Sequence, residues 1–142
     1  MAPPIPCSIN FRYQAIIQVR YLKEKHTLEG LELARYILEQ ISDVKGEDII
    51  IIDIHELTPI ADFFVICSAA SERQLKAIVN RISEEVRKAG GSKPLRVEGE
   101  ASGGWVLLDY GDVVVHAFTP EQRRYYDLEG FWEAAKTVTR MQ

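Results

Sequence analysis

The segment WVLLDYGDVVVH, residues 105–116, constrains the fold more than any other part of the chain, because it has the pattern of a β-hairpin. Strand-forming residues flank Tyr110 and Gly111, which we expect to form a two-residue turn. In that register Asp109 faces Asp112. The other expected cross-strand pairs are Leu107 with Val114, Trp105 with His116, Val106 with Val115, and Leu108 with Val113.

The two faces of this hairpin differ in chemistry, because side chains alternate along a strand. One face is wholly aliphatic, and we expect it to point into the core. The other face holds Trp105, His116 and two aspartates. Like charges directly opposite each other are unfavourable, so we expect solvent, an internal cation or a basic partner to relieve the pair Asp109 and Asp112.

Composition predicts one globular domain. The chain has 142 residues, 46% hydrophobic and 27% charged, which is enough to bury a core without disulfides. The net charge of −4 argues against a protein that mainly grips nucleic-acid phosphates, and it permits a basic partner. The two cysteines, Cys7 and Cys67, have no metal-ligand spacing. Because we find no membrane span and no secretory signal, we expect a cytoplasmic protein.

The domain is expected to span residues 27–142, preceded by a poorly ordered or adherent extension over residues 1–26. Thr27 is a plausible N-cap of a first helix that ends before Gly46. Two apolar runs, 48–54 and 63–69, predict strands that are buried on both faces.

A second helix is predicted to begin after Ser71, since Gln74 completes a capping-box pattern and an apolar stripe follows. A short strand at 95–98 precedes the hairpin. Thr119 and Asp127 are the expected caps of two final helices, the last of which carries Leu128, Phe131, Trp132 and Ala135. This order predicts a single α/β (α+β) domain with a five-stranded mixed sheet flanked by helices.

Asp109 and Asp112 are candidate ligands for a divalent metal in phosphoryl or nucleotidyl transfer. Such acids usually alternate along one strand, whereas these two straddle a turn. In the segment Asp53-Ile54-His55 an imidazole stands where a second acid would be needed. A metal-dependent nucleotidyltransferase is therefore the alternative to aspartates that form a turn or contact a partner.

His116 is a candidate general base, but no nucleophile is visible in the sequence because Cys67 lies in an apolar strand. The other interpretation of His116 is a half-buried histidine of the sheet.

The segment SAASER, 68–73, starts a helix and could bind an anion, although alanines replace the glycines of a phosphate loop. The segment RRYY, 123–126, suits RNA stacking or a protein hot spot. Nearby acids favour the protein, and some of these aromatic residues alternatively attach the final helices to the sheet.

Four segments of the chain form a specific series: ADFFVICSAASERQ (61–74), EG (98–99), GWVLLDYGDVVVHAF (104–118) and RRYYDLEGFW (123–132). Their order and spacing resemble the ribosomal silencing factor family, also called Iojap-like. The similarity runs from about Leu28 to Trp132. One departure is the alanine pair at 69–70, where family members usually have a glycine-containing pair.

The resemblance implies a five-stranded mixed sheet, distantly like nucleotidyltransferases but without their catalytic acids. It implies a translational repressor, not an enzyme, that needs no cofactor or metal. Such a repressor binds the large ribosomal subunit through a basic ribosomal protein at the intersubunit face, with little direct RNA contact, and sterically blocks joining with the small subunit when nutrients are short. Organelle relatives act in large-subunit biogenesis, and family members can form homodimers when free.

The hairpin register, combined with the motif positions of the family, predicts the surface that contacts the partner. Its aromatic and aliphatic members would supply desolvated area, and its aspartates would pair with Lys or Arg of the partner. A register slip of one residue would exchange the two faces of the hairpin. The predicted members are Trp105, Leu107, Asp109, Asp112, Val114, His116, Tyr125, Tyr126 and Leu128.

Overall fold

A six-stranded mixed sheet forms the centre of the computed structural model, which describes residues 28–142. The strand order is β3-β4-β5-β2-β1-β6, with β2 parallel to β5 and all other neighbours antiparallel. None of the helices in this part of the chain has the length and hydrophobicity to cross a membrane. In chain order the elements are α1 (Gly30–Asp43), β1 (Glu47–Asp53), β2 (Phe63–Ser68), α2 (Glu72–Lys88), β3 (Arg96–Glu98), β4 (Trp105–Asp109), β5 (Val113–Phe118), α3 (Pro120–Tyr126), α4 (Leu128–Phe131) and β6 (Lys136–Met141).

Helix α1 begins at Gly30. The expected cap, Thr27, and the extension over 1–26 lie outside the described residues. Glu29 occupies the N-cap position but makes no side-chain capping bond. The N–H of Gly30 instead donates to the carboxylate of Asp112, which lies in the turn between β4 and β5. Because the first N–H groups of a helix have no partner within the helix, this long-range contact attaches α1 to the hairpin.

The central strands β1 and β2 are buried on both faces, as the two apolar runs predict. Ile49 and Ile51 pack in the cluster that includes α1 and α2, whereas Ile50 and Ile52 pack in a second cluster on the opposite face of the sheet. The sheet therefore has one face that two long helices cover and one face that they do not.

The start of α2 confirms the predicted capping pattern. The N–H of Gln74 donates to the hydroxyl of Ser71 at 3.1 Å, and the Gln74 carboxamide accepts from the N–H of Ala70 at 2.6 Å. The same carboxamide donates to the carbonyl of Lys45 at 2.7 Å. These bonds satisfy free groups at the helix start and fix it to the loop after α1.

The expectation of five strands is wrong by one. The last helix ends at Phe131 instead of continuing to Ala135, and β6 pairs antiparallel with β1. No residue of β6 is fully buried, so the strand lacks the continuous apolar run that marks β1 in the sequence. Its strand conformation depends on the open edge of β1, a tertiary contact.

The predicted hairpin register is also wrong, by two residues. The observed pairs include Asp109 with Val114, Leu107 with His116 and Trp105 with Phe118. A shift of two residues changes every partner but keeps each strand side chain on its predicted face, because the side-chain period of a strand is two. Asp112 lies in the turn, and its carboxylate contacts α1, which covers the other face of the sheet.

The observed turn consists of Gly111 and Asp112, closed by a hydrogen bond from the N–H of Tyr110 to the carbonyl of Val113 at 2.9 Å. Gly111 has a φ of +93°, a conformation that favours glycine. Asp109 and Asp112 are therefore not opposed across the hairpin, and no like-charge pair needs relief at this position.

Candidate protein-docking face

The sheet face opposite α1 and α2 is the candidate functional site. Phe64, Val114 and Phe118 form part of its buried apolar layer. Partly buried side chains from α4 and the residues after it, Leu128, Trp132 and Ala135, cover a portion of that layer. We call this surface, together with the exposed residues of α3 and α4, the docking face.

An aromatic cluster dominates the docking face. The Trp105 ring lies 5.0 Å from that of Phe118 and 4.5 Å from that of Tyr126, and Tyr125 packs edge-on against Tyr126 at 5.1 Å, all between centroids. Tyr125 is 78% exposed and Tyr126 is 49% exposed. The structure thus brings together Trp105, Tyr125 and Tyr126, three of the residues that the sequence predicts as partner contacts.

His116 lies beneath this cluster and is only 4% exposed. Its Nδ1 accepts a hydrogen bond from the Trp105 indole at 3.3 Å, and its ring lies 4.6 Å from that of Phe64. Burial lowers the pKa of His116 to about 4, so the ring is neutral near pH 7. The side chain is thus more deeply buried than the half-buried histidine considered from the sequence.

Cys67, the nucleophile considered from the sequence, does not accompany His116. Cys67 is buried in the apolar cluster on the other face of the sheet, and burial raises the pKa of its thiol to about 12. A thiol in that environment stays protonated and unreactive. The arrangement supports a role for His116 in orienting Trp105.

Three further predicted contact residues are aliphatic. Leu107 and Leu128 are partly buried against the apolar layer of the docking face. Val114 is 5% exposed, so it supports this surface from below.

The two aspartates have intramolecular partners. Asp109 accepts from the N–H of Gly111 at 2.8 Å and lies 3.6 Å from the guanidinium of Arg96, while Asp112 caps α1 through Gly30. Within residues 28–142 no three His, Cys, Asp or Glu side chains are grouped to hold a metal ion. Both aspartates therefore act as turn and cap residues, and each is still partly accessible.

Two aromatic residues outside the predicted contact set extend the docking face. Phe131 is 77% exposed, and its ring lies 5.3 Å from that of Trp132. Trp132 in turn packs edge-on against Phe64 at 5.5 Å. The sequence pattern predicts both residues in a longer final helix. The exposure of Phe131 follows from the short α4, which has no buried residue.

Arg123 is the residue whose burial the sequence pattern predicted least well. In the RRYY segment it suggested stacking on RNA or a partner, but the side chain is 9% exposed. It donates to the carbonyl of Asp48 at 2.6 Å, to the hydroxyl of Ser68 at 2.8 Å and to the carboxylate of Glu129 at 2.6 Å. An internal arginine cannot be told from a surface arginine by local sequence alone.

Comparison with known proteins identifies relatives of this chain. Residues 27–142 match a family model described as "Ribosomal silencing factor during starvation". The ribosomal silencing factor of Chromobacterium violaceum is 39% identical over 109 residues, which cover 77% of this chain and 88% of that protein. The corresponding factor of Halalkalibacterium halodurans is 39% identical over 111 residues, covering 78% and 94%.

More distant relatives and a solved structure agree with this match. The chloroplastic Iojap protein of Arabidopsis thaliana is 36% identical over 111 residues, covering 78% of this chain and 45% of that protein. A crystal structure of a Chromobacterium violaceum protein superposes with a TM-score of 0.70 at 39% identity, covering 74% of this chain and 87% of that one.

Proposed function

This chain belongs to the ribosomal silencing factor family, and from that premise we propose that it represses translation by binding the large ribosomal subunit. It docks on a basic ribosomal protein at the intersubunit face. Bound there, it sterically blocks joining with the small subunit and lowers translation under nutrient limitation. The proposed mechanism is steric exclusion and involves no catalysis.

The aromatic cluster is the observation that carries this proposal. Large aromatic side chains at a surface are typical energetic centres of protein interfaces, because they bury much area for little loss of conformational entropy. Tyr125, Tyr126 and Phe131 are all exposed large side chains on or beside α3 and α4. In the proposed complex these residues, together with Trp105, Leu107 and Leu128, supply the area that the partner desolvates.

Charge supports a basic partner. The chain carries a net charge of −4, and Asp109 and Asp112 lie at the turn end of the hairpin, where each is partly accessible. In the proposed complex these carboxylates attract Lys or Arg side chains, which favours a correctly oriented encounter. Val114 and His116 contribute from beneath, because their own accessible surface is too small for direct contact.

Nucleotidyl transfer has less support as an alternative. It needs carboxylates that are free to hold a metal, whereas Asp112 is committed to α1 and Asp109 to its own turn.

We also propose a cytoplasmic location, little direct contact with RNA, a homodimer when the protein is free, and a contribution to large-subunit biogenesis.

Sedimentation tests the central proposal. The purified protein is added to dissociated ribosomal subunits, which are then allowed to reassociate. We expect the protein to migrate with the large subunit and to reduce the fraction of joined ribosomes. Full joining in the presence of bound protein would refute steric exclusion, and a failure to migrate with the large subunit would refute the docking proposal itself.

A further inference from the structure

We propose that Arg123 is a positioning residue that holds the exposed aromatic side chains of the docking face in a binding-competent arrangement. This inference rests on the proposed function, because it concerns the same face. Arg123 itself is buried, so it acts through Tyr126 and its neighbours and does not touch the partner.

The helices that carry these aromatic residues have few apolar contacts with the sheet. In α3 only Arg123 is buried, and α4 contains no buried residue. Leu128 and Trp132 are partly buried against the apolar layer. Since apolar packing is the usual force that orients a short helix, its scarcity leaves much of that task to the hydrogen bonds of Arg123.

Those hydrogen bonds reach three different elements. The Nη1 atom of Arg123 donates to the carbonyl of Asp48 in β1 and to the hydroxyl of Ser68 at the end of β2, and its Nε donates to Glu129 in α4. A planar guanidinium holds such partners in a defined geometry, which a lysine ammonium cannot reproduce. One side chain therefore fixes α3 relative to the two central strands and to α4.

A second arginine reinforces this arrangement from β6. Arg140 donates to the Asp48 carboxylate at 3.2 and 3.3 Å, and its guanidinium lies 3.9 Å from the Glu129 carboxylate. The Asp48 carboxylate also lies 3.6 Å from the Arg123 guanidinium, so Asp48 and Glu129 each face two arginines. This balance of charges offsets part of the cost of burying the Arg123 guanidinium.

The geometry links Arg123 directly to the aromatic cluster. Tyr126 follows three residues later, within the same short helix. The carbonyl of Arg123 accepts from the N–H of Asp127, a residue with a φ of +43° that joins α3 to α4. A rotation of α3 would move Tyr126 away from Trp105, 4.5 Å distant between ring centroids, and would also redirect Tyr125.

The test uses the full chain and two readouts. Binding to purified large subunits is measured at a temperature at which every variant is folded, and acrylamide quenching reports the exposure of the 2 tryptophans, both on the docking face. For Arg123→Met we expect increased quenching and an affinity lowered by about tenfold. Arg123→Lys should show the same loss, because it keeps the charge but not the planar fork.

A matched control separates positioning from general stability. Arg81→Met removes a comparable link on the other side of the sheet, where Arg81 donates to Gln40 at 3.0 Å and to Asp43 at 3.3 Å. We expect this control to alter neither quenching nor affinity.

A folded Arg123→Met protein with unchanged quenching, or with unchanged affinity, would overturn the inference, as would an equal loss of affinity in Arg81→Met. If Arg123→Lys has the quenching and affinity of the parent protein, the claim that the planar guanidinium is required would be overturned. If Arg123→Met does not fold, Glu129→Gln, which weakens one contact of Arg123, is judged by the same criteria. If the parent protein itself does not bind, the proposed function fails, while quenching still decides whether Arg123 orders the aromatic cluster.

Discussion

The indole N–H of Trp105 donates to Nδ1 of His116, 3.3 Å away, so the exposed and buried parts of the docking face are directly joined. This contact requires a neutral imidazole with its proton on Nε2. Protonation of His116 would remove the acceptor and place a charge in the apolar layer. The orientation of Trp105 is therefore coupled to the protonation state of a core residue.

Acidification should destabilise the protein through His116. Its folded-state pKa, about 4, is below the ordinary value of 6.5, so the unfolded chain binds the proton more readily between those values. Stability from this group is complete above about pH 6.5 and falls by as much as about 3 kcal/mol as pH decreases to 4. Urea unfolding at several pH values measures this loss.

His116→Gln should flatten that part of the pH profile, whereas His55→Gln should not. His55 is exposed, and its hydrogen bond to Asp53 raises its pKa, so it contributes with the opposite sign. Since carboxylates also titrate in this range, the difference between parent and variant is the relevant quantity. An identical pH profile for His116→Gln would exclude His116 as the cause.

Removal of the Asp112 carboxylate should weaken the attachment of α1. Asp112→Ala leaves the N–H of Gly30 without its acceptor, and we expect the free energy of unfolding to fall by about 1 kcal/mol. Thermal or urea denaturation measures the change. Glu84→Ala, at an exposed position of α2, is the control and should have little effect; equal stabilities of the two variants would contradict the capping role.

Truncation of Tyr125 should affect binding without affecting folding. The side chain is 78% exposed, so Tyr125→Ala should change the free energy of unfolding by less than about 0.5 kcal/mol. Affinity for the large subunit should fall by about tenfold. The matched control is Leu95→Ala, which removes a 70% exposed apolar side chain beside β3; similar losses in both variants would argue against a localised docking face.

Reversal of the two hairpin charges should lower the affinity for the large subunit. It should also reduce the part of that affinity that comes from attraction to a basic partner. Asp109→Lys with Asp112→Lys should lower affinity strongly at low salt, with a smaller difference at high salt because ions screen the interaction. Denaturation is measured in parallel, since Asp112 also caps α1. Glu72→Lys with Glu84→Lys reverses two acids on α2 and serves as control. A double hairpin variant that binds like the parent would remove the aspartates from the interface.

Alternation of side chains let the sequence predict the two faces of the hairpin, but the register depended on Tyr110. As a turn residue it would lie at the surface, yet the structure places it in the helix-covered core at 7% exposure. Burial of this large ring favours Tyr110 as a strand residue, and the turn moves to Gly111 and Asp112. The carbonyl of Asp112 accepts from Asp62 and Phe63, which also stabilises that position.

The sequence by itself determined the buried strands β1 and β2, the capped helix α2 and the segregation of aliphatic from aromatic side chains, because each depends on local periodicity and capping. Only the tertiary structure decided the pairing of β6, the burial of Arg123 and the depth of His116. Each of these depends on partners distant in the chain: the open edge of β1, the groups of Asp48 and Ser68, and the aromatic rings that enclose the imidazole. The local sequence pattern determines which side chains a strand or helix places on each face. Long-range contacts determine which of those side chains remain exposed for a partner.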